Sequence, residues 1–321
     1  MFYVLQFPAD SKNDSCSNTI MCFYSWIVQK LEIVSSFCNS PQRLKACKSS
    51  KGMVYDMILE EIAAKTAERI AAQKLELPLA ELQAAAKAMD HNTGFPFERS
   101  LAKPGMSFIC EVKKASPSKG VIAEHFPYVE IGREYERAGA DAMSILTEPY
   151  YFQGSDGYLS AIRKEVSIPL LRKDFTVDEY MLYQAKTIGA DAVLLICAIL
   201  TQTQLEEYLG KAKELGLSAL VEAHDEEEIQ MALNAGARII GVNNRNLKDF
   251  TVDISNSIRL RELVPEDILF VSESGMKTRA DIARLEENGT NAVLIGETFM
   301  RSSDKERMLK ELRGRCEGNE V

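Results

Sequence analysis

From Met57 to Lys74 the chain reads MILEEIAAKTAERIAAQK, with apolar residues at helical spacing and neither glycine nor proline. That pattern predicts an amphipathic helix. LPLAELQAAAKAM (77–89) predicts a second helix, with Pro78 in its first turn, where a missing N–H costs nothing. HNTGFPF (91–97) then breaks the periodicity. Beyond it one shape recurs in AGADAMSIL (138–146), IGADAVLLI (188–196), AGARIIGVN (235–243) and NGTNAVLIG (288–296). Each copy has a glycine able to end a helix in a left-handed conformation, two short residues, and a buried apolar strand. Between the copies lie four further strand patterns, SFICEVK (107–113), IPLLRKD (168–174), LSALVEA (217–223) and ILFVSES (268–274). Strands alternating with helical stretches, eight in number, predict an α/β chain folded as a single (β/α)8 TIM barrel with an N-terminal helical extension. A doubly wound open sheet is the alternative, disfavoured by the strand count and the regular twofold repeat.

Residues 1–52 differ from the rest of the chain. They carry six basic and three acidic side chains, are rich in Ser and Cys, and show no sustained periodicity. Three readings stand: a targeting peptide, a disordered or loosely docked extension, or translation from upstream of a start at Met53 or Met57. The last two are preferred, since the segment is poor in Arg and contains acids. The expected division is therefore an atypical extension over 1–52 and a catalytic barrel with two leading helices over 53–321. The expected compartment is the cytoplasm, or a plastid if 1–52 is a transit peptide.

The net charge of −9 argues against nucleic acid as a partner. No run of 18 apolar residues occurs, so no membrane span is expected. The seven cysteines, at 16, 22, 38, 47, 110, 197 and 316, form no C-x-x-C pair and match no zinc spacing. A reducing compartment and no metal site are expected.

In such a barrel, catalytic groups sit where the strands end. Those ends are polar here: Glu111 and Lys113 on the first, Lys173 and Asp174 on the third, Glu222 on the fifth. Asn243, Asn244 and Arg245 follow the sixth strand, Glu273, Ser274 and Gly275 the seventh, and Gly296 and Glu297 the eighth. Any one charge is as well explained as a solvated strand terminus or a rim ion pair. Lys113, Lys173 and Glu222 together, each isolated after an apolar run at the same barrel end, are not. Alternation puts Glu111 and Lys113 on one face, with Cys110 and Val112 on the other. By the same parity Glu273 and Ser274 point apart unless the strand has begun to turn. Ser274–Gly275 and Gly296–Glu297 are phosphate cues, because glycine lets an anion approach backbone N–H groups at a helix start. KKASPSKG (113–120) reads either as a plain surface loop or as a lid presenting cations to an anion.

Taken in order, these segments resemble the indole-3-glycerol-phosphate synthase family. CEVKKASPSKG resembles its E-x-K-x-x-S-P-S signature, LTEPYYFQGS its segment after the second strand, LLRKDF its third-strand K-D-F, and LVEAHDEEE its fifth-strand V-E segment. IIGVNNRNLKDFTVD resembles the sixth-strand G-[IV]-N-x-R-[DN]-L, while VSESGM and VLIGE resemble the phosphate segments of the last two strands. The resemblance spans 57–315. Residues 1–52 have no counterpart in the usual bacterial form, and no room remains after the eighth strand for the isomerase barrel sometimes fused to this enzyme.

The resemblance implies a cofactor-free carboxy-lyase of tryptophan biosynthesis acting on a small phosphorylated substrate. It implies Lys173 as general acid and Glu222 as general base. Lys113 would hold a carboxylate, Glu111 would orient Lys113, and Asn243 and Glu273 would complete the catalytic set. Ser116, Pro117, Ser118, Phe152, Arg245 and Ser274 would bind substrate, and Ser274, Gly275, Gly296 and Glu297 its phosphate. A monomer or weak homo-oligomer is expected, with contact to other tryptophan-pathway enzymes. His224 is expected at the rim rather than in the chemistry. Two rivals are disfavoured. Phosphoribosylanthranilate isomerase uses a Cys and an Asp at strand ends, where this chain has Glu and Lys. A non-catalytic barrel should have lost a strand-end charge, and none is missing.

Overall fold

The computed structural model describes residues 50–245 and 251–314. Eight parallel strands close into a barrel: β1 (Ser107–Val112), β2 (Ala142–Leu146), β3 (Leu170–Lys173), β4 (Ala192–Ile196), β5 (Ser218–Ala223), β6 (Ile239–Asn243), β7 (Leu269–Glu273) and β8 (Ala292–Ile295). Each pairs with its neighbours in sequence, and β8 returns to β1 in the register Ser107↔Ala292 to Cys110↔Ile295. Closure leaves no free sheet edge. The repeat behaves as expected: Gly139, Gly189, Gly236 and Gly289 all have φ between 79° and 90°, ending the helix before each even-numbered strand.

Alternation along the strands makes two cores. One contains Ile109, Ala142, Leu171, Leu194, Leu220, Ile239, Val271 and Leu294, one or more from every strand, and fills the barrel. The other contains Phe108, Cys110, Val112, Val193, Val221, Ile240, Phe270 and Val293 and meets the surrounding helices. A six-residue helix, Pro96–Leu101, closes the amino-terminal mouth, for its Phe97 and Leu101 are fully buried in the inner cluster. Its Ser100 hydroxyl donates to the carbonyl of Asp141 at 2.5 Å. One mouth is therefore sealed by apolar packing, and the other is left to the polar strand ends.

The first leading helix runs Ser50–Glu76, so it begins ahead of the division expected after 52. The second is Leu79–Lys87, with Pro78 just outside it as the capping residue rather than within its first turn. Asp174, which the sequence left undecided, ties the first helix to the barrel. Its carboxylate accepts both 2.9 Å bonds of an Arg69 guanidinium, a 2.9 Å bond from the Thr147 hydroxyl and one from its neighbour Phe175 N–H. Arg172 lies 3.5 Å away. The Asp174 side chain is 1% exposed, so its charge depends on these partners.

Replacing Arg69 with Ala leaves that buried carboxylate short of its main cation. Removing one partner of a buried pair costs about 3–5 kcal/mol. Urea unfolding of Arg69→Ala is expected to show a loss near the lower end of that range, because Arg172 and Thr147 remain.

Candidate active site

Inward parity delivers the polar strand ends to one place. Counting up by twos from Ile109 reaches Glu111 and Lys113, from Leu171 reaches Lys173, from Leu220 reaches Glu222, and from Val271 reaches Glu273. Asn243 is reached from Ile239 through Gly241. Glu111, Glu222 and Glu273 are all buried at the open mouth of the barrel, with the Lys173 ammonium among them. Lys173 Nζ lies 3.2 Å from Glu222 Oε2 and 3.6 Å from Glu273 Oε2. Asn243 Nδ2 donates to Glu222 Oε1 at 3.3 Å, and the Lys113 ammonium pairs with Glu111 Oε2.

Burial opposes the charged form of Lys173, but Glu222, Glu273 and Glu111 outweigh it and hold the ammonium well above the usual lysine range. Burial also opposes charge on Glu222, yet Lys173, His224 and Asn243 overcome it and hold that carboxyl well below the usual range. Glu273 has less help. Burial, together with Glu222 and Glu111, outweighs Lys173 and pushes it up to about 7. Its Oε1 has no hydrogen-bond partner among the described residues.

Two glycines make this crowding feasible. A Cβ on Gly241 would lie 2.4 Å from Glu273 Oε1, and one on Gly296 would lie 2.3 Å from Glu111 Oε2 and 3.0 Å from Lys113 Nζ. Gly296 therefore serves the Glu111–Lys113 pair as well as the anion corner that the sequence assigned to it. The close approach also places that corner beside the carboxylates. The helix Glu297–Arg301 starts there with no side-chain cap, and the Glu297 carboxylate turns to Arg301 and Lys119.

Ser274 resolves the parity question. The strand ends at Glu273, and Ser274 has turned to φ 67°, with Gly275 next at φ 100°. For serine a positive φ is strained. Asn244 holds the turn: Nδ2 donates to Ser274 O at 3.0 Å and to Ser272 Oγ at 2.9 Å. Its Oδ1 accepts from Ser257 N and Oγ at 3.0 and 2.7 Å. Every polar position of this buried amide is used. Arg245 donates its backbone N–H to Asn243 Oδ1 and bridges Val252, and the segment 246–250 beyond it lies outside the described residues.

The stretch 113–120 is more ordered than either loop reading. Ala115–Ser116 pairs antiparallel with Gly120–Val121, so Pro117 and Ser118 form the tip of a hairpin. Ser116 is buried, Ser118 half-buried and Pro117 exposed. Lys119 at the tip comes within 3.8 Å of Glu297, across the anion corner. Phe152 lies in a loop organised by the buried Glu148, whose carboxylate accepts N–H bonds from Tyr150, Tyr151 and Phe152 at 2.7–3.0 Å. The Phe152 ring stands 6.1 Å from that of Phe175. Glu148, Asn244 and His224 were not singled out by sequence as site residues. All three lie just past strand-end positions, which was the available signal. Among the described residues no group of His, Cys, Asp or Glu is arranged to hold a metal ion. No described helix is long and apolar enough to cross a membrane.

Lysines and carboxylates converge beside a glycine-lined corner at the carboxyl end of a (β/α)8 barrel, the end where enzymes of this fold carry their active sites. The family model described as indole-3-glycerol phosphate synthase matches residues 59–312. A protein of that name from Ruminiclostridium cellulolyticum is 57% identical over 258 residues, covering 80% of this chain and 99% of the relative. One from Leuconostoc mesenteroides is 52% identical over 260 residues, covering 80% and 99%. The chain belongs to the indole-3-glycerol phosphate synthase family and is a carboxy-lyase. Among solved structures, thiamine phosphate pyrophosphorylase from Pyrococcus furiosus aligns with TM-score 0.51 and 17% identity over 68% of this chain and 96% of its own. 3-Hexulose-6-phosphate synthase from Salmonella typhimurium aligns with TM-score 0.54 and 12% identity over 65% and 98%. Likeness at that identity is a likeness of fold.

The raised Glu273 carboxyl has a thermodynamic signature. Its proton is held up to about pH 7 in the fold but only to about 4.5 in the unfolded chain. The stability it contributes is complete below pH 4.5 and fades as pH rises through 7. Urea midpoints across this window are expected to fall with pH in the native protein and to fall less in Glu273→Gln.

Proposed function

We propose that this barrel mouth closes the indole ring of 1-(2-carboxyphenylamino)-1-deoxyribulose 5-phosphate, releasing indole-3-glycerol phosphate, CO2 and water. The substrate presents a carboxylate, a phosphate and a ketone. Lys173, half-buried against Glu222 at 3.2 Å on the inward face, is the observation that most supports the assignment.

The ring carbon bearing the carboxylate attacks the ketone. As the carbon–carbon bond forms, the ketone oxygen gains negative charge, and Lys173 gives it a proton. An ammonium held this firmly is a poor acid toward a neutral ketone but a competent one toward a developing alkoxide. Loss of CO2 returns the bonding electrons to the ring and quenches the iminium. The new hydroxyl then leaves as water, with Lys113 supplying its proton, and Glu222 removes the carbon-bound proton that restores aromaticity. Starting from the ionised carboxylate, each turnover takes up two protons and returns one. Glu222, in contact with Lys173, can hand its proton back there.

In this reading Lys113 first holds the substrate carboxylate and Glu111 aims it. Asn243 and Glu273 hold substrate hydroxyls and fix Lys173, while Arg245, Ser116, Pro117, Ser118 and Phe152 contact substrate. Ser274, Gly275, Gly296 and Glu297 hold the phosphate, largely through backbone N–H groups. No redox or carbanion-stabilising cofactor enters any step. A cytoplasmic setting, a monomeric or weakly associated chain, and contact with neighbouring enzymes of tryptophan synthesis belong to the same proposal.

Two measurements test it. Indole fluorescence should rise when protein meets substrate, with or without EDTA, and Lys173→Met should lower kcat by about 100-fold or more while leaving the fold intact. Near-native turnover in folded Lys173→Met would remove Lys173 from the acid's role. Asn244→Ala should raise KM about tenfold with kcat little changed and weaken inhibition by inorganic phosphate in parallel, as expected when uniform binding is lost. An unchanged phosphate inhibition constant would detach the Ser274 turn from phosphate binding.

A further inference from the structure

Two buried carboxylates, Glu222 and Glu273, flank the Lys173 ammonium at 3.2 and 3.6 Å, and either could in principle serve as the base. Their surroundings differ. Glu222 accepts from two donors, Lys173 from β3 and Asn243 from β6, and faces a third group, the imidazole of His224 just past β5, whose Nε2 stands 3.3 Å from Glu222 Oε1 as an ion-pair contact without hydrogen-bond alignment. Among the described residues Glu273 has one cation within ion-pair distance, Lys173, with His224 acting on it only from farther off, and its second oxygen is buried without a hydrogen-bond partner.

His224 itself is held from behind. Its Nδ1 lies 2.9 Å from Glu228 Oε2, and its backbone N–H donates to the same oxygen at 2.9 Å. Glu228 sits in the first turn of the helix Glu226–Asn234, where its own N–H is capped by the Asp225 carboxylate at 2.9 Å. Among the described residues the cluster is also faced by Glu111, paired with Lys113, from β1, and by the Cys197 thiol just past β4. The thiol is pushed up to about 12 by burial and nearby carboxylates, and so stays neutral. With a carboxylate at each ring nitrogen, burial of His224 is outweighed, and its pKa is raised to about 10. An imidazolium thus stands between Glu222 and Glu228 across neutral pH.

We propose that His224, oriented by Glu228, is a positioning residue that commits Glu222, rather than Glu273, to the base's role beside Lys173. Both carboxylates contact the same ammonium, and like charges so placed do not both ionise freely, so near neutrality they compete for a proton. The cation on the Glu222 side sends that proton to Glu273. Glu222 is then left charged and turned by the imidazole to present its other oxygen to Lys173. The inference rests on the proposed assignment of Glu222 as base.

The test is His224→Ala in the full chain, read by indole fluorescence across pH 5–9, with His224→Gln and Glu228→Gln alongside. Loss of the imidazolium lets the shared proton return to Glu222. In His224→Ala kcat should fall about tenfold or more with KM little changed, and should acquire an acid limb near neutral pH. Added imidazole should restore part of the loss. His224→Gln, whose amide still donates, should fall less, and Glu228→Gln should shift the profile in the same direction by a smaller amount. Adding His224→Ala to Glu222→Gln should cost nothing further, since His224 acts only through Glu222. A folded His224→Ala with native kcat and pH profile overturns the proposal, as does an additive loss on the Glu222→Gln background. Native turnover in Glu222→Gln alone would instead sink the assignment of the base. If His224→Ala does not fold, the pH profile of His224→Gln carries the same decision.

Discussion

Lys173 is an ammonium taken largely out of water at the mouth of a closed barrel, and the rest of the site answers that constraint. Desolvating a charge costs several kcal/mol unless fixed partners replace the lost hydration. Glu222 and Glu273 supply countercharge, but two carboxylates for one cation leave an excess that the low-dielectric interior does not tolerate. The excess is met by raising the Glu273 carboxyl to about 7, so that it gives up its charge readily near neutrality, and by placing a second cation, His224, against Glu222. The charges of the mouth are therefore set against one another by fixed protein groups before any substrate arrives. That is the condition under which fixed groups stabilise a developing charge without reorganising.

The barrel makes such crowding possible in space. Gly241 and Gly296 stand at inward positions where any side chain would strike Glu273 or the Glu111–Lys113 pair. On the outer face the same strands carry Phe108, Val221 and Phe270 into the apolar layer beneath the helices. Alternation, with its period of two, is what separates a dense polar mouth from a dense apolar shell within one residue. The sealed amino-terminal end, plugged by Phe97 and Leu101, leaves the chemistry a single face.

Much of this was legible in the sequence because it depends on local period. The strand patterns, the four helix-ending glycines and the inward parity of Glu111, Lys113, Lys173, Glu222 and Glu273 all come from counting along the chain. What escaped was set by tertiary partners. His224 lies two residues past Glu222 and looked like rim. Only the helix Glu226–Asn234, folding back to place Glu228 behind the ring, shows why it faces inward. Asn244 looked like one polar residue among three, yet its amide ties together Ser257, Ser272 and the strained Ser274 from two other segments. Asp174 was an undecided polar residue after Lys173, because its partner, Arg69, lies 105 positions away. A one-residue step in a strand changes the face, and with it a catalytic neighbour into a structural anchor.

That adjacency couples the scaffold to the chemistry. Lys173 and Asp174 are consecutive, so the backbone that aims the ammonium inward is the backbone that the Arg69 guanidinium pins from outside. Ser274 and Glu273 repeat the arrangement on β7, with Asn244 gripping the Ser274 carbonyl while the Asn244 N–H donates to the Glu273 carbonyl at 2.9 Å. In both cases a buried polar side chain, Asp174 or Asn244, fixes the backbone one residue beyond a catalytic candidate and limits its freedom. A misplacement of an ångström in such a group forfeits much of the advantage of holding reactants in register. The cost of burying Asp174 and Asn244 is thus tied to the accuracy with which Lys173 and Glu273 are held. The leading helix, through Arg69, in this sense supports the candidate active site.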